Sequence, residues 1–185
     1  MTETTNRLSV TDWITAGLTL LSEEGIGGVK IQRLCERLGV TKGSFYWHFT
    51  DLDAFLGAMA KYYEDGARIF RDQFSEMAAK DAEATLADSS NFRLNRRLAG
   101  IERAMRDWAR SDDRARAAIE ASDELGFAAL RRSFELLGFN EVEADVRAKT
   151  LFYAGVGFGD VGPIGDTETD PRVQLSMMME LLTRR

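Results

Sequence analysis

Apolar residues recur at helical spacing from the start of the chain. Val10, Trp13, Ile14, Gly17, Leu18 and Leu21 fall at i, i+3, i+4, i+7, i+8 and i+11, a single stripe on one helix face. Ser9 stands at the cap position, and Asp12, three residues on, completes a capping-box pattern. Gly25, Gly27 and Gly28 end this helix and open a loop. Ile31, Leu34, Cys35 and Leu38 mark a second, short helix. Gly39 closes it at a position where a left-handed backbone is cheap only for glycine. Thr41 caps a third short helix, Lys42 to Phe49. Two short helices joined by a tight, glycine-containing turn are the sequence form of a helix-turn-helix.

The rest of the chain also reads as helices. Thr50 and Asp53 form another capping-box-like pair and predict a long helix running to about Ala79. Phe55, Met59, Tyr62, Tyr63, Ile69, Phe70 and Phe74 give it a broad apolar face. A polar, alanine-rich connection follows, Lys80 to Ser90. Leu94, Leu98, Ile101, Met105 and Trp108, spaced 4, 3, 4 and 3, predict an amphipathic helix. Ser111, Asp112 and Asp113 break it and cap a short helix through Ile119. Leu125, Phe127, Leu130, Phe134 and Leu137 mark a separate helix closed by Gly138. A further helix runs from Glu141 to about Phe158. Gly155, Gly157, Gly159, Gly162 and Gly165, with Pro163, predict a flexible stop after it. Asp170 before Pro171 reads as cap and first helical residue of a last helix striped by Leu175, Met178, Met179 and Leu182. No strand alternation and no repeat is present. The expected fold class is all-α, with about nine helices.

Composition narrows the chemistry. The 185 residues are 44% hydrophobic and 29% charged, ordinary for a globular chain long enough to bury a core without staples. The single cysteine, Cys35, excludes an internal disulfide and a thiolate metal cluster, and Cys35 reads as a small core residue. The single histidine, His48, excludes a multi-histidine zinc site. The tract Gly155 to Gly165 follows a helix and lacks the Lys-Ser/Thr ending of a phosphate loop. No nucleophile–base pairing is apparent. The expectation is a protein that is not an enzyme and needs no cofactor or metal. No run of about 18 apolar residues suggests a membrane span, and Met1 to Ser9 lack the apolar core of a secretory signal. A cytoplasmic location is expected. The net charge of −6 is unevenly placed. Residues 1–50 balance to zero, and the rest of the chain carries the excess. Lys30, Arg33, Arg37 and Lys42 face a single acid, Glu36, within their own segment, a locally basic element on an acidic chain.

The segment Ile31 to Leu56, IQRLCERLGVTKGSFYWHFTDLDAFL, resembles the DNA-binding segment of the TetR family of bacterial transcriptional regulators. The likeness rests on Leu34–Cys35, on Gly39–Val40–Thr41–Lys42–Gly43–Ser44 at the turn, on Phe45–Tyr46–Trp47–His48–Phe49, and on Asp53–Ala54–Phe55–Leu56. It is close over roughly residues 9 to 60. The resemblance implies a homodimer with an N-terminal helix-turn-helix DNA-binding domain, residues 1–50, and a C-terminal ligand-binding and dimerisation domain, residues 51–185. It implies that Tyr46 and His48 contact phosphates, while Thr41, Lys42, Ser44 and Trp47 approach bases or phosphates. Gly43 and Ser44 keep the helix entry small, so the backbone can approach the duplex. Phe45 and Phe49, four apart, face inward. The lone indole N–H of Trp47 suits packing against sugar or a thymine methyl better than reading a base pair. Two positions depart from the family pattern. Lys30 stands where a cap hydroxyl is usual, a cation that can retain the phosphate contact. Leu52 stands where lysine is usual, which removes one. Arg33 and Arg37 read either as phosphate contacts or as a solvated face.

The same resemblance gives the C-terminal helices their expected roles. Phe70, Phe74, Met105, Trp108, Phe127, Leu130 and Phe134 are core candidates one by one. As a group they lie on helices that the family arranges around a cavity, where some line a site for an apolar or aromatic effector. The last two helices pair with their copies through Val146, Tyr153, Leu175, Met178 and Leu182. The expected function is a repressor that binds a near-palindromic double-stranded operator and is released by a small molecule. The alternative is an architectural, effector-independent dimeric DNA-binding protein whose C-terminal helices serve dimerisation alone. A helical enzyme with an incidental helix-turn-helix has no support in the residues.

Overall fold

The computed structural model describes residues 8–86, 96–161 and 170–184, and these residues are helical with no strand among them. Helix α1 spans Val10–Glu24. Its capping box is complete: Asp12 N donates to Ser9 Oγ (3.2 Å), and Ser9 N donates to Asp12 Oδ2 (2.7 Å). Two otherwise orphaned N–H groups are thereby satisfied. The hydrogen bonds from Ser9 hold the Asp12 carboxyl below the usual aspartate range. A short 3-10 turn, Ile26–Gly28, leads to α2, Ile31–Leu38. Gly39 ends α2 with φ 66° and ψ 34°, the left-handed conformation expected of it. Helix α3 is Lys42–His48, with Phe49 as its C-cap.

Helix α4, Leu52–Lys80, is capped one residue later than expected. Ala54 N donates to Asp51 Oδ1 (2.8 Å), so Asp51 and not Thr50 closes the helix start. A carboxylate caps as well as or better than a threonine hydroxyl and also favours the positive end of the helix dipole. After Asp81 the chain is helical again over 82–86. Helix α5 is Arg96–Ala109, with Leu94 outside the described residues. Helix α6 is Asp113–Leu136, a single helix where two were expected. Asp112 caps it, accepting from Arg114 N (2.9 Å). Asp123, between the two expected segments, lies within the helix and faces α5. Arg106 of α5 forks onto both of its oxygens (2.8 and 2.6 Å). A side chain so engaged no longer competes for the local backbone.

Helix α7, Glu141–Val161, runs through Gly155, Gly157 and Gly159 rather than stopping at them. Each glycine costs about 1 kcal/mol relative to alanine. Packing of Leu151, Phe152 and Val156 on the core offsets this. Gly162, Pro163 and Gly165 lie outside the described residues. Helix α8, Pro171–Thr183, starts as expected, with Arg172 N donating to Asp170 Oδ1 (2.8 Å) and proline at the first position. The eight helices α1 to α8 and the stretch 82–86 make nine among the described residues. The number matches the sequence expectation because 82–86 adds one helix and the fusion within α6 removes one.

Two apolar cores organise these helices. The first joins α1, α2 and α3 to the first half of α4, and takes in Met105, Trp108 and Ala109 of α5 and Ala115, Ala118 and Ile119 of α6. The second holds Phe74, Leu86, Ala129, Leu130, Phe134, Phe139, Ala144, Ala148, Leu151, Phe152 and Met179. Helices α4 and α6 pack along each other and contribute to both. Arg106 sits partly buried at α5, held by Asp123 and by Glu102 (2.9 Å). Burial works against its charge, and the hydrogen bonds it donates to the two carboxylates outweigh that, so its proton is held more tightly than usual.

At Gly17 of α1, side chains of α4 fill the space a Cβ would take. A Cβ there would stand 2.6 Å from Phe55 Cζ and 2.7 Å from Met59 Sδ. Gly17→Ala is therefore expected to destabilise the protein by about 1–3 kcal/mol through overpacking, although alanine is the better helix former. Urea unfolding of the variant beside the wild type measures this.

Candidate nucleic-acid interface

Helix α3 has seven residues, too few to be stable alone. Phe45 holds it in place. That ring is fully buried, with the rings of Trp13, Phe49 and Phe55 at centroid distances of 5.4, 5.3 and 5.7 Å. These partners come from α1, the α3 C-cap and α4, so one side chain fixes three elements. Edge-on aromatic contacts of this kind add to the burial energy. With Phe45 and Phe49 inward, helical spacing turns their neighbours outward. Tyr46 is 55% exposed and Trp47 66% exposed. Thr41, Lys42 and Gly43 are exposed as well, while Ser44 and His48 are half-buried. His48 lies between the rings of Trp13 (6.2 Å) and Trp47 (5.2 Å). Thr41 occupies the N-cap position of α3 without a capping hydrogen bond from its side chain. The eight residues singled out from the sequence for this surface, Lys30 included, are all at least partly exposed.

The charges are distributed differently from the simple count. Arg33 pairs with Glu24 and with Glu36 (3.1 Å), and Arg37 pairs with Glu23. Both arginines are thus drawn from the basic segment toward the acidic end of α1. Hydrogen bonding to Glu24 raises the Arg33 pKa further, and hydrogen bonds from Gln32 and Arg33 lower that of Glu36. Lys30 and Lys42 are exposed and have no ion-pair partner among the described residues. Lys30 caps α2 by position alone, with no side-chain capping bond. Leu52 packs against the first core, so the phosphate contact usual at that position is replaced by burial. Cys35 is buried, and burial pushes its thiol pKa up, which disfavours the thiolate.

The candidate effector residues divide between the cores. Met105 and Trp108 are buried in the first core beside the helix-turn-helix. Phe74, Leu130 and Phe134 are buried in the second, with Phe70 and Phe127 packed half-buried on its margin. On the last two helices, Val146 and Tyr153 are exposed, Leu175 is half-buried, and Met178 and Leu182 lean on the second core. The outermost apolar side chains there also include Val142, Val161, Val173, Met177 and Leu181, whose exposure the sequence pattern does not single out. Among the described residues no helix is long and apolar enough to cross a membrane.

Residues 14–59, which hold α2, α3 and the rings of Phe45, Phe49 and Phe55, match the family described as bacterial regulatory proteins, tetR family. Over these residues the chain carries a TetR-type N-terminal domain. It is 46% identical over 48 residues to the class A tetracycline repressor protein from transposon 1721 of Escherichia coli, covering 26% of this chain and 22% of that one. It is 42% identical over 55 residues to the class H tetracycline repressor protein of Photobacterium damsela subsp. piscicida, covering 30% and 24%. The chain thus spans about a quarter of the length of the curated family members it matches. Solved structures extend the likeness of fold to the whole chain. A transcriptional regulator from Rhodococcus sp. superposes with a TM-score of 0.72 at 18% identity, over 95% of this chain and 94% of that one. The regulator FadR from Bacillus subtilis, in complex with stearoyl-CoA, gives 0.69 at 16% identity, over 95% and 98%. A TetR/AcrR-family regulator from Thermobifida fusca gives 0.63 at 18%, over 95% and 98%. The all-α fold is therefore shared with these regulators along nearly the whole chain.

The pairing of the arginines separates two kinds of base on this surface. In titrations with duplex DNA, Lys42→Ala is expected to weaken binding regardless of sequence and to reduce the salt slope by about one per protomer. Arg37→Gln is expected to leave that slope unchanged and to cost about 0.2–1 kcal/mol of stability instead. Fluorescence anisotropy at several salt concentrations, with urea unfolding of both variants, distinguishes these outcomes.

Proposed function

We propose that the protein is a DNA-binding transcriptional repressor, acting as a homodimer on a near-palindromic operator and released by a small-molecule effector. The outward face of α3 carries this reading. Thr41, Lys42, Gly43, Tyr46 and Trp47 stand exposed on a helix whose other side is locked by Phe45 and Phe49. In this reading α3 enters the major groove, with Gly43 and Ser44 at its entry. Tyr46, His48, Lys30 and Lys42 bind phosphate, while Thr41, Ser44 and Trp47 meet base edges or sugars. Residues 1–50 form the DNA-binding domain and residues 51–185 the regulatory one.

Dimerisation is supported by the exposed apolar side chains of α7 and α8. Val142, Val146, Tyr153, Met177 and Leu181 are apolar side chains each more than half exposed, which pairing with a second copy would remove from water. Leu175, Met178 and Leu182 would back them. A two-fold axis through this face presents two copies of α3 to successive grooves about 34–36 Å apart. The effector would be apolar or aromatic, seated among Phe70, Phe74, Phe127, Leu130 and Phe134. The like-folded Bacillus subtilis regulator holds stearoyl-CoA, a ligand with a long apolar chain. Met105 and Trp108 would then stand between the effector and the helix-turn-helix. Release follows if the effector prefers the arrangement that does not fit the operator. The reading places the protein in the cytoplasm.

Selection from a random duplex pool, with unrelated competitor DNA present, tests this. Enrichment of a near-palindromic site is expected, and a pool that stays random overturns the reading. Tyr46→Phe, which removes a hydroxyl donor from phosphate, is expected to weaken the selected site by about 1.5–3 kcal/mol while leaving the melting temperature in place. Leu181→Glu is expected to sediment as a monomer and to lose operator binding with it.

A further inference from the structure

Arg114 lies in the first turn of α6, and its guanidinium grips two carboxylates at once. Nη2 donates to Asp112 Oδ2 (2.8 Å) and Nε to Asp112 Oδ1 (3.2 Å). Nη1 stands 2.9 Å from Asp53 Oδ1 and also donates to the Asp53 carbonyl (3.1 Å). Asp112 is itself the N-cap of α6, and Asp53 belongs to the first turn of α4. The fork therefore ties the N-termini of two helices together. A planar guanidinium can satisfy two carboxylates in this way, and an ammonium cannot reproduce it.

The position of this tie matters more than its strength. Only Thr50, Asp51 and Leu52 separate Asp53 from Phe49, the C-cap of α3. The first turn of α4 thus follows α3 through a three-residue connection and shares in its placement with Phe45. At its other end α6 carries Leu130 and Phe134 into the second core. Exposed ion pairs of this kind add little to stability. Its two hydrogen-bonded ends nevertheless join α4 and α6 at their N-termini, beyond the packing of the two helices on each other.

We propose that Arg114 is a positioning residue: the Asp112–Arg114–Asp53 clamp fixes how the recognition helix is presented by the regulatory body. This rests on the reading of α3 as the DNA-contacting helix. A displacement of α6 driven from the second core must either carry the start of α4 with it or break the clamp. The clamp also offsets the Asp53 carboxylate at the end of α4 next to α3, where a bare negative charge would oppose phosphate.

Two measurements test the clamp separately from the reading it rests on. Spin labels at Lys42→Cys and Arg132→Cys, in a Cys35→Ala background diluted with unlabelled protein, report the distance from α3 to α6 without any DNA. Arg114→Gln is expected to broaden or shift that distance distribution. Asp53→Asn is expected to do so to a smaller degree, because the bond to the Asp53 carbonyl survives, and Arg114→Lys to fall between wild type and Arg114→Gln. An unchanged distribution in Arg114→Gln overturns the proposal, and Asp53→Asn, altered at an exposed side chain, decides it should Arg114→Gln fail to fold. With a selected operator in hand, Arg114→Gln is expected to lose about tenfold in affinity. It is also expected to lose discrimination against sites whose half-site spacing is changed by a base pair, with the melting temperature little moved. Equal affinity and equal spacing discrimination in wild type and variant overturn it as well.

Discussion

The burial of Phe45 is the contact on which the rest of the molecule's business depends. A seven-residue helix has no stability of its own, and no capping side-chain bond supports its start. One phenyl ring, packed between α1 and α4, keeps the helix formed and decides which way it faces. Losing such a ring costs about 3–5 kcal/mol, a large part of the 5–15 kcal/mol that holds a typical domain together. The exposed face of α3 is in this sense a by-product of its buried one. The residues available to a partner are those that the aromatic anchor leaves outside.

Electrostatics follow a similar division between holding and presenting. Arg33 and Arg37 spend their charge on Glu24, Glu36 and Glu23, joining α2 to α1. On an acidic chain this leaves the candidate surface with few unpaired cations, Lys30 and Lys42 among the described residues. Attraction to phosphate is then modest, and the neutral groups of Thr41, Ser44, Tyr46 and Trp47 must carry a larger share of any selectivity. The pattern suits a regulator that must ignore most of the DNA it meets.

How much of this was legible in the sequence depends on how local the cause was. The capping box of Ser9 and Asp12, the left-handed Gly39, the inward pair Phe45 and Phe49 and the Asp170–Pro171 helix start are settled within a few residues, and all are found as read. Features with distant partners were not legible. Helix α6 runs unbroken through Asp123, whose partner, Arg106, is on another helix. Helix α7 survives its glycines because of what Leu151 and Phe152 pack against. The apolar spacing marked Met105 and Trp108 as buried but could not say in which core. The roles of Arg33, Arg37 and Arg114 depend on partners up to 61 residues away in the chain.

The division into two cores has an optical consequence. All three tryptophans of the chain lie on the helix-turn-helix side. Trp13 and Trp108 are shut inside the first core, and the indole N–H of Trp13 meets no acceptor there. Trp47 looks out from α3 into solvent. The second core contains phenylalanines but no indole. Tryptophan fluorescence, excited selectively, therefore watches one half of the molecule and is blind to the other. A compound that settles in the second core and does not itself absorb at these wavelengths can alter the emission only by disturbing something at a distance. A change in that signal would be a direct optical record of communication between the two halves.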